Sequence, residues 1–348
     1  MRKEKRGYPV RMKKPCPARF VGVMLGMLLL VTGCDREAEI SSRQAADSPG
    51  RGGAVVTIGR LICGGHLPLA VTNKRFPDRL GFRLVTVQNH SWDRVVADLE
   101  AGRLDGTFIL SPLAMELIRK GLAARIVLLA DRNGNGFVLS SEVPAIEALG
   151  KGSHIIAVPH LFSQHHVLLH KLLEDRGVNA SGISVVAMPP RDMINSLRRG
   201  EIDGFVVGEP EAHKSIELGV GWMAAISPQI WRNHMDHVLL LTERFISGHP
   251  ARVQRLVDSL VASGRFIEAN PGDAARMGED YTGSSAEIFF QVLTDPPDWI
   301  DYRDMVPTVA DLRKMGRRMV KMGLWDSLPS DLAGYIDDRF ARKAAGET

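Results

Sequence analysis

Two similar α/β lobes, each a mostly parallel sheet with helices between its strands, are predicted by three observations. The first is an internal repeat. Leu99, Gly102, Asp105, Gly106 and Pro112 fall on Leu197, Gly200, Asp203, Gly204 and Pro210 without a gap, 98 positions on. The second is the pattern upstream at the same offset. Val56 to Ile58 lies over His154 to Ile156, and Val85 and Val87 lie over Ile183 and Val185. These apolar runs are short, as buried strands of a parallel sheet are, and helical stretches separate them. The third is the shared Gly-x-x-Asp-Gly turn. Gly102 or Gly200 ends a helix in a left-handed conformation, and Asp-Gly turns the chain into the next strand. A pair of similar lobes implies a cleft between them.

The elements follow in order. Residues 1–19 carry eight basic residues and one Glu, and an apolar run from Phe20 to Gly33 precedes Cys34. A basic segment before a short apolar core reads as a secretory signal, too short for a membrane-spanning helix. Residues 34–53 read as a flexible polar tether. Lobe 1 is expected over 54–148 plus 233–348, and lobe 2 over 149–232. Helical spacing of apolar residues over Arg252–Glu268, Val309–Met322 and Ser330–Arg342 predicts amphipathic helices.

Charge and cysteine content narrow the function. The chain has 44 basic and 40 acidic residues, a net +4. Removing residues 1–33 takes away 8 basic and 1 acidic residue and leaves 36 against 39, a net −3. The basic character belongs to the leader and gives no support to nucleic-acid binding. Of three cysteines, Cys16 lies in the leader and Cys34 at its end, so Cys63 alone remains and no internal disulfide can form.

Several segments resemble one family. Leu30 to Cys34 resembles a bacterial lipobox, which implies cleavage before Cys34 and lipidation of its thiol. Ser91-Trp-Asp-Arg94, Asn133 to Ser140, Ser163 to Leu169, Gly208-Glu-Pro210 and Ile230 to His234 resemble the substrate-binding lipoproteins of ABC importers for nitrate, bicarbonate and sulfonates. Gly323-Leu324 with Tyr335 to Phe340 resembles the family's C-terminal helices, and the nitrate and bicarbonate branch fits best. The resemblance implies a two-lobed periplasmic binding protein fold of type II, with a hinge and a central cleft. It implies capture of a small anion and delivery to an ABC permease and its ATPase. It also implies a periplasmic monomer held by lipid to the inner membrane, or to the cell surface in a Gram-positive organism. No cofactor is expected, apart from calcium should the solute be bicarbonate.

The resemblance places ligand contacts at Trp92, Asn135, His165 and Arg232. Physical reading adds Gly64, Gly65 and His66 in the loop after the first strand. There, glycine N–H groups and a helix N-terminus suit an anion. Gln164 occupies the equivalent place in lobe 2. His165 would donate a hydrogen bond and Arg232 a planar fork of charge. Glu209 reads as structural or cation-binding, since a carboxylate repels a bare anion. Ligand positions are expected where the repeats differ: His66 against Gln164, Trp92 against Pro190, Ser111 against Glu209.

Other readings are an aliphatic sulfonate or thiamine-pyrimidine precursor as solute, zinc binding through His166 and His170 one helical turn apart, and an enzyme of the thiamine-pyrimidine type. The cysteine-rich motif of that enzyme is absent. No Gly-x-Ser-x-Gly, no phosphate loop and no ordered nucleophile–base pair stands in the sequence, so an enzyme is not expected.

Overall fold

The computed structural model describes residues 53–347; the expected leader, the expected lipidation site Cys34 and most of the expected tether lie outside them. The first repeat forms β1 (Val55–Arg60), α1 (Leu67–Arg75), β2 (Arg83–Gln88), α2 (Trp92–Glu100), β3 (Gly106–Leu110) and α3 (Ser111–Arg119). β4 (Ala124–Leu129), β5 (Arg132–Asn133) and β6 (Asn135–Leu139) follow. The second repeat forms β7 (His154–Val158), α4 (Gln164–Asp175), β8 (Ile183–Ala187), α5 (Pro190–Arg198), β9 (Gly204–Gly208) and α6 (Glu211–Glu217). β10 (Trp222–Ile226) and β11 (His237–Thr242) come next.

Two five-stranded sheets result, in the orders β2-β1-β3-β11-β4 and β8-β7-β9-β6-β10. The two orders correspond position by position. Ile58 pairs with Gly106 in one sheet and Ile156 with Gly204 in the other, each 98 residues on. The fourth strand of each sheet is antiparallel to its third. β6 leaves the first repeat to enter the second sheet, and β11 returns from the second repeat to enter the first. The lobe boundary expected at residues 148 and 149 therefore falls inside the second lobe. The chain changes sheets instead at residues 130–135 and 231–237. There the two crossing segments pair with each other: Ala130 N–H donates to the His237 carbonyl (2.9 Å) and Asn133 N–H to that of His234 (3.2 Å).

The repeated residues have a common physical role. The Asp105 carboxylate accepts from Thr57 N–H at 2.9 Å and the Asp203 carboxylate from Ile155 N–H at 2.7 Å, tying the turn to the first strand of its lobe. Gly106 and Gly204 let the antiparallel fourth strand come close. A Cβ on Gly106 would stand 2.5 Å from the Leu240 carbonyl oxygen, and one on Gly204 2.7 Å from that of Val138. Gly102 and Gly200 have φ of +69° and +68°, the left-handed helix endings expected.

Of the remaining helices, the short one at Ser227–Ile230 packs on α4, β6 and β10 of lobe 2, and the others pack mainly on lobe 1. α7 (Ser227–Ile230) and α8 (Glu243–Gly248) precede α9 (Pro250–Ala269), which packs on α1. α10 (Pro271–Thr282) and α11 (Ala286–Thr294) complete a core of Leu67, Ile267, Phe289 and Trp299. A short β12 (Ile300–Asp301) pairs with β5 at the crossing. α12 (Val309–Lys321) matches its predicted span. The helix expected over Ser330–Arg342 does not. A bridge between Ile336 and Ile126 holds that stretch extended, and helix α13 spans only Arg339–Ala345.

The lobes touch on both sides of the cleft. Gly64 N–H donates to the Glu209 carbonyl at 2.7 Å, and Arg191 meets His90 at 3.1 Å. Glu174 on α4 pairs with Arg318, at 2.8 Å, and Lys321 on α12. Among the described residues no helix is long and apolar enough to cross a membrane.

Replacing Asp105 or Asp203 by alanine leaves a first-strand N–H without its acceptor. Each change is expected to cost about 1–3 kcal/mol, and the double variant about the sum, because the sites lie in different lobes. Urea unfolding of the three variants measures this; a cost at one site only would show that the repeat does not carry one shared role.

Candidate functional site

Where the two crossing segments meet, a buried polar cluster joins the lobes. Asp131 precedes β5, Asn135 opens β6, and Asp236 and His237 lead into β11. The Asp236 Oδ1 accepts from Asn135 Nδ2 at 2.9 Å and from Gln164 Nε2. Its Oδ2 pairs with His237 Nδ1 at 2.6 Å. Asp131 Oδ1 accepts from His237 N–H at 3.1 Å. The other ring nitrogen of His237, Nε2, lies 3.8 Å from Cys63 Sγ in the loop after β1. All six residues are buried.

Electrostatics fix the charges. Burial works against an imidazolium at His237, but Cys63, Asp236 and Asp131 together hold its pKa well above the ordinary value. Burial pushes the Cys63 thiol up, against the pull of His237. Burial also opposes ionisation of Asp236, yet His237, His165 and His234 outweigh it and hold the carboxyl below the ordinary range. Burial and the neighbouring Asp236 raise Asp131 to about 7. Burial lowers His165 to about 3, so its ring is neutral at pH 7.

A small cavity opens beside this cluster, lined by Cys63, Trp92, His165, Gly208 and His237 with Leu61, Leu110 and Val207 as apolar walls. Its volume of about 10 Å³ is roughly the room of one water molecule. No Lys or Arg lines it. Three buried polar atoms of its lining residues have no hydrogen-bond partner among the described residues, Trp92 Nε1 and both ring nitrogens of His165; the carbonyl oxygens of Asn135 and Gln164, in the adjoining cluster, also have none. Gly208 creates part of the space. A Cβ there would stand 3.1 Å from Cys63 Sγ, 3.7 Å from His165 Nε2 and 3.8 Å from Asn135 Oδ1. Buried polar groups cost free energy unless paired, and a space of this size admits a small hydrogen-bonding partner such as one water.

The fold brings together most of the residues singled out in the sequence. Trp92 lies 5.9 Å from the His237 ring and 6.1 Å from that of His66, centroid to centroid. His165 reaches the cavity because Ser163 caps α4, accepting from His166 N–H at 3.2 Å, and aims the first turn at lobe 1. His66 is buried, its Nδ1 bonded to the Leu61 carbonyl at 2.9 Å. The glycines differ from expectation. Gly64 N–H is taken by Glu209, so it does not face a ligand. Gly65 is needed for close approach, since a Cβ there would stand 2.7 Å from Asp131 Oδ2 and from His237 Nδ1. Arg232 lies apart: its side chain is 67% exposed and faces Asp298 at 3.7 Å. Glu209 is fully buried, and its Oε2 accepts from His213 N–H at 2.9 Å.

Sequence reasoning passed over Asp131, Asp236 and His237, and found no ordered nucleophile–base pair. The spacing His234-Met-Asp-His237 directly after Ile230-Trp231 was the available signal. The line Cys63–His237–Asp236 has the order of such a pair with its orienting acid. Its thiol, however, is pushed towards the neutral form, which is the unreactive one. Asp131, Asp236 and His237 also offer ligand atoms within 4.8 Å of one another. One imidazole and two carboxylates suit a transition-type divalent ion better than calcium, which takes six to eight oxygens. His166 is not part of that group; its Nδ1 is bonded to the Leu161 carbonyl at 2.9 Å.

Comparison with known proteins places this architecture. The nitrate import ATP-binding protein NrtC of Synechocystis is 27% identical over 221 residues, 58% of this chain and 33% of that protein. The chain thus spans about a third of the length of that relative. The ligand-binding component of an ABC-type import system from Staphylococcus aureus, solved with zinc bound, superposes with a TM-score of 0.75 at 21% identity, over 84% of this chain and 99% of that one. The periplasmic nitrate-binding protein NrtA from Synechocystis superposes with a TM-score of 0.76 at 17% identity, over 86% and 90%. The desulfurization enzyme DSZB shares the fold with a TM-score of 0.63 at 15% identity, over 84% and 99%. The fold is therefore that of the periplasmic binding proteins, two sheets with many helices, and it is used for binding and for catalysis. The profile of the NMT1-like family matches residues 52–279, well over half of the sequence, and the chain belongs to that family.

Proposed function

We propose that this protein is the solute-binding component of an ABC import system and that it closes its two lobes on a small oxyanion. The reading is supported by one observation above the rest: unpartnered polar atoms from both lobes stand at one small cavity in the cleft, which would widen from the room of one water to take an oxyanion. Trp92 Nε1 comes from lobe 1, and the His165 ring nitrogens and Asn135 Oδ1 from lobe 2; His237 Nε2, 3.8 Å from Cys63 Sγ, stands beside them. A guest that satisfies both sets stabilises the closed form over the open one, which is what a clamp requires. The import role is supported by the likeness to the nitrate import protein and to the binding components of such systems. The lipid at Cys34 would keep the protein beside its permease and raise its effective concentration there. The protein acts as a monomer without catalysis: its thiol is held neutral, and what it offers a guest is hydrogen bonds.

Among oxyanions, the inventory of hydrogen bonds favours one that carries a proton. Trp92 Nε1, His237 Nε2 and one nitrogen of His165 donate. Asn135 Oδ1 and the other nitrogen of His165 accept. Nitrate offers acceptors only and would leave the Asn135 oxygen unpaired. Bicarbonate offers acceptors and an O–H. The His237 imidazolium is already balanced by Asp236, so an anion in this cavity would be held by hydrogen bonds and not by a countercharge of its own.

Calorimetry at pH 7.5 is expected to show bicarbonate bound at least about tenfold more tightly than nitrate, the cost of one unpaired buried acceptor. His165→Ala and Trp92→Phe are each expected to weaken binding by about 10- to 100-fold. Equal affinity for nitrate and bicarbonate would remove the proton-bearing ligand from consideration, and no response to any oxyanion would remove the class.

Glu209 gives a pH test of the closed core. Burial raises its carboxyl to about 8 from the ordinary 4.5. Below 4.5 both folded and unfolded chains hold the proton. Above it, the unfolded chain releases the proton while the folded chain keeps it, so this group lowers stability as pH rises towards 8. Glu209→Gln retains an acceptor for His213 N–H and has no proton to lose. The variant is expected to match wild type at pH 4 and to exceed it by about 2–3 kcal/mol at pH 8. Thermal melts across that range measure the gap; one that stays constant with pH would mean the carboxyl is ionised in the folded protein.

A further inference from the structure

The inner cavity is not the end of the cleft. A groove of about 280 Å³ lies outside it. Ile62, Pro190 and Glu211 line both spaces, so the groove is the approach to the cavity. It lies between the lobes: Ile62 and Thr282 belong to lobe 1, α5 and α6 to lobe 2. Its walls carry three cations, Arg191, Arg198 and Lys214, against one carboxylate, Glu211.

The cations are only weakly compensated. The Arg198 guanidinium meets the neutral Asn195 oxygen at 2.9 Å. Arg191 meets the His90 ring at 3.1 Å and the exposed Asp192 at 3.7 Å. Lys214 Nζ stands 3.8 Å from Glu211, whose carboxyl is raised by burial in spite of that lysine. Counting Asp192, three positive charges face two negative ones, and one of the negative ones is partly suppressed. The inner cavity differs: no Lys or Arg lines it, and its largely apolar walls carry only a few hydrogen-bonding groups besides Glu211. Fixed charge stands at the entrance, and hydrogen-bond pattern stands at the seat.

We propose that this groove is an anion-collecting vestibule: a weak second site for small anions that feeds the inner cavity. It rests on the reading that the captured solute is an anion. A cleft lined by one sign of charge focuses the field and raises on-rates by about 10- to 1000-fold, and salt screens the effect over about 8 Å at physiological strength. The vestibule therefore sets the rate of capture, while the affinity of the seat in high salt belongs to the cavity.

The test compares wild type with Arg191→Gln/Arg198→Gln/Lys214→Gln, three exposed or half-exposed positions whose exchange leaves the core intact. Two measurements are made. Chloride NMR line broadening reads anion residence in the groove without reference to the transported solute. It is expected to fall by at least about half in the triple variant, in line with the loss of the cations that create the field. Stopped-flow association of bicarbonate, followed by tryptophan fluorescence, reads the approach to the seat. The wild-type on-rate is expected to fall about tenfold between low and high salt, and that of the variant to start low and stay nearly flat. Off-rates should agree within about twofold, since most of the effect of rim charges is on association. Unchanged chloride broadening, or an unchanged salt dependence, would overturn the vestibule. Loss of broadening in a protein whose wild type binds no bicarbonate would sustain the vestibule and overturn the proposed solute.

Discussion

One buried carboxylate organises the centre of this protein. Asp236 sits where the chain re-enters lobe 1, and it accepts hydrogen bonds from Asn135 and Gln164 of lobe 2 and pairs with His237 of lobe 1. An ionised carboxylate is costly in a low-dielectric interior unless every acceptor site is used. The groups that satisfy it are therefore fixed, and their opposite ends are fixed with them. The Asn135 amide spends its N–H on Asp236 and the Asn133 carbonyl, which turns its oxygen to Gly208. His237 spends Nδ1 on Asp236, which turns Nε2 to Cys63 and the cavity. The polar pattern of the site is the outward face of the network that neutralises one buried charge.

The exchange of strands explains why that network lies at the cleft. Each lobe completes its sheet with a strand donated across the boundary, β6 in one direction and β11 in the other. The two crossing segments run side by side, bonded at Ala130 to His237 and Asn133 to His234. A hinge made of two paired strands bends about a single line and resists shear. Side chains at the start of β6 and β11 stand beside that line, so they move little as the lobes part. In a clamp opening about that line, residues at the N-termini of α2 and α4, which carry Trp92 and His165, would swing farther. In the proposed clamp, the guest would be held between Asn135 and His237 beside that line and Trp92 and His165 farther from it.

The fold was legible in the sequence because the repeat marks structural turns. Gly102, Asp105 and Gly106 recur since each lobe needs a left-handed helix ending, an acceptor for the first strand and a close contact with the fourth. The divergent pairs marked the cleft in part. Trp92 lines the cavity and Gln164 reaches Asp236 across the boundary, while His66 packs within lobe 1 against Phe108 and His237. The carboxylates and His237 escaped notice because they lie on the crossing segments, outside the repeated unit, and no periodicity marks them. The lobe boundary was misplaced for the same cause: sequence order assigns β6 to the repeat it follows, while hydrogen bonding assigns it to the sheet it enters. Arg232 was chosen by its place after Ile230-Trp231. Asn233 directly follows with φ +59°, a turn that leaves the arginine outside on the lobe surface against Asp298.

Charge at the entrance and neutrality at the seat answer two different demands. Capture from dilute solution is a problem of rate, and long-range attraction addresses it without committing the ligand. Holding one anion in preference to another is a problem of differences, and charge is a poor discriminator there, because nitrate and bicarbonate carry the same one. A seat lined by arginine would grip both. A seat built from one imidazolium, balanced by its own carboxylate, and from a few donors and acceptors with fixed roles distinguishes them by which hydrogen bond is missing. The buried pairing of Asp236 with His237 makes that possible: it supplies a donor with a full charge behind it, while the cluster as a whole stays close to neutral.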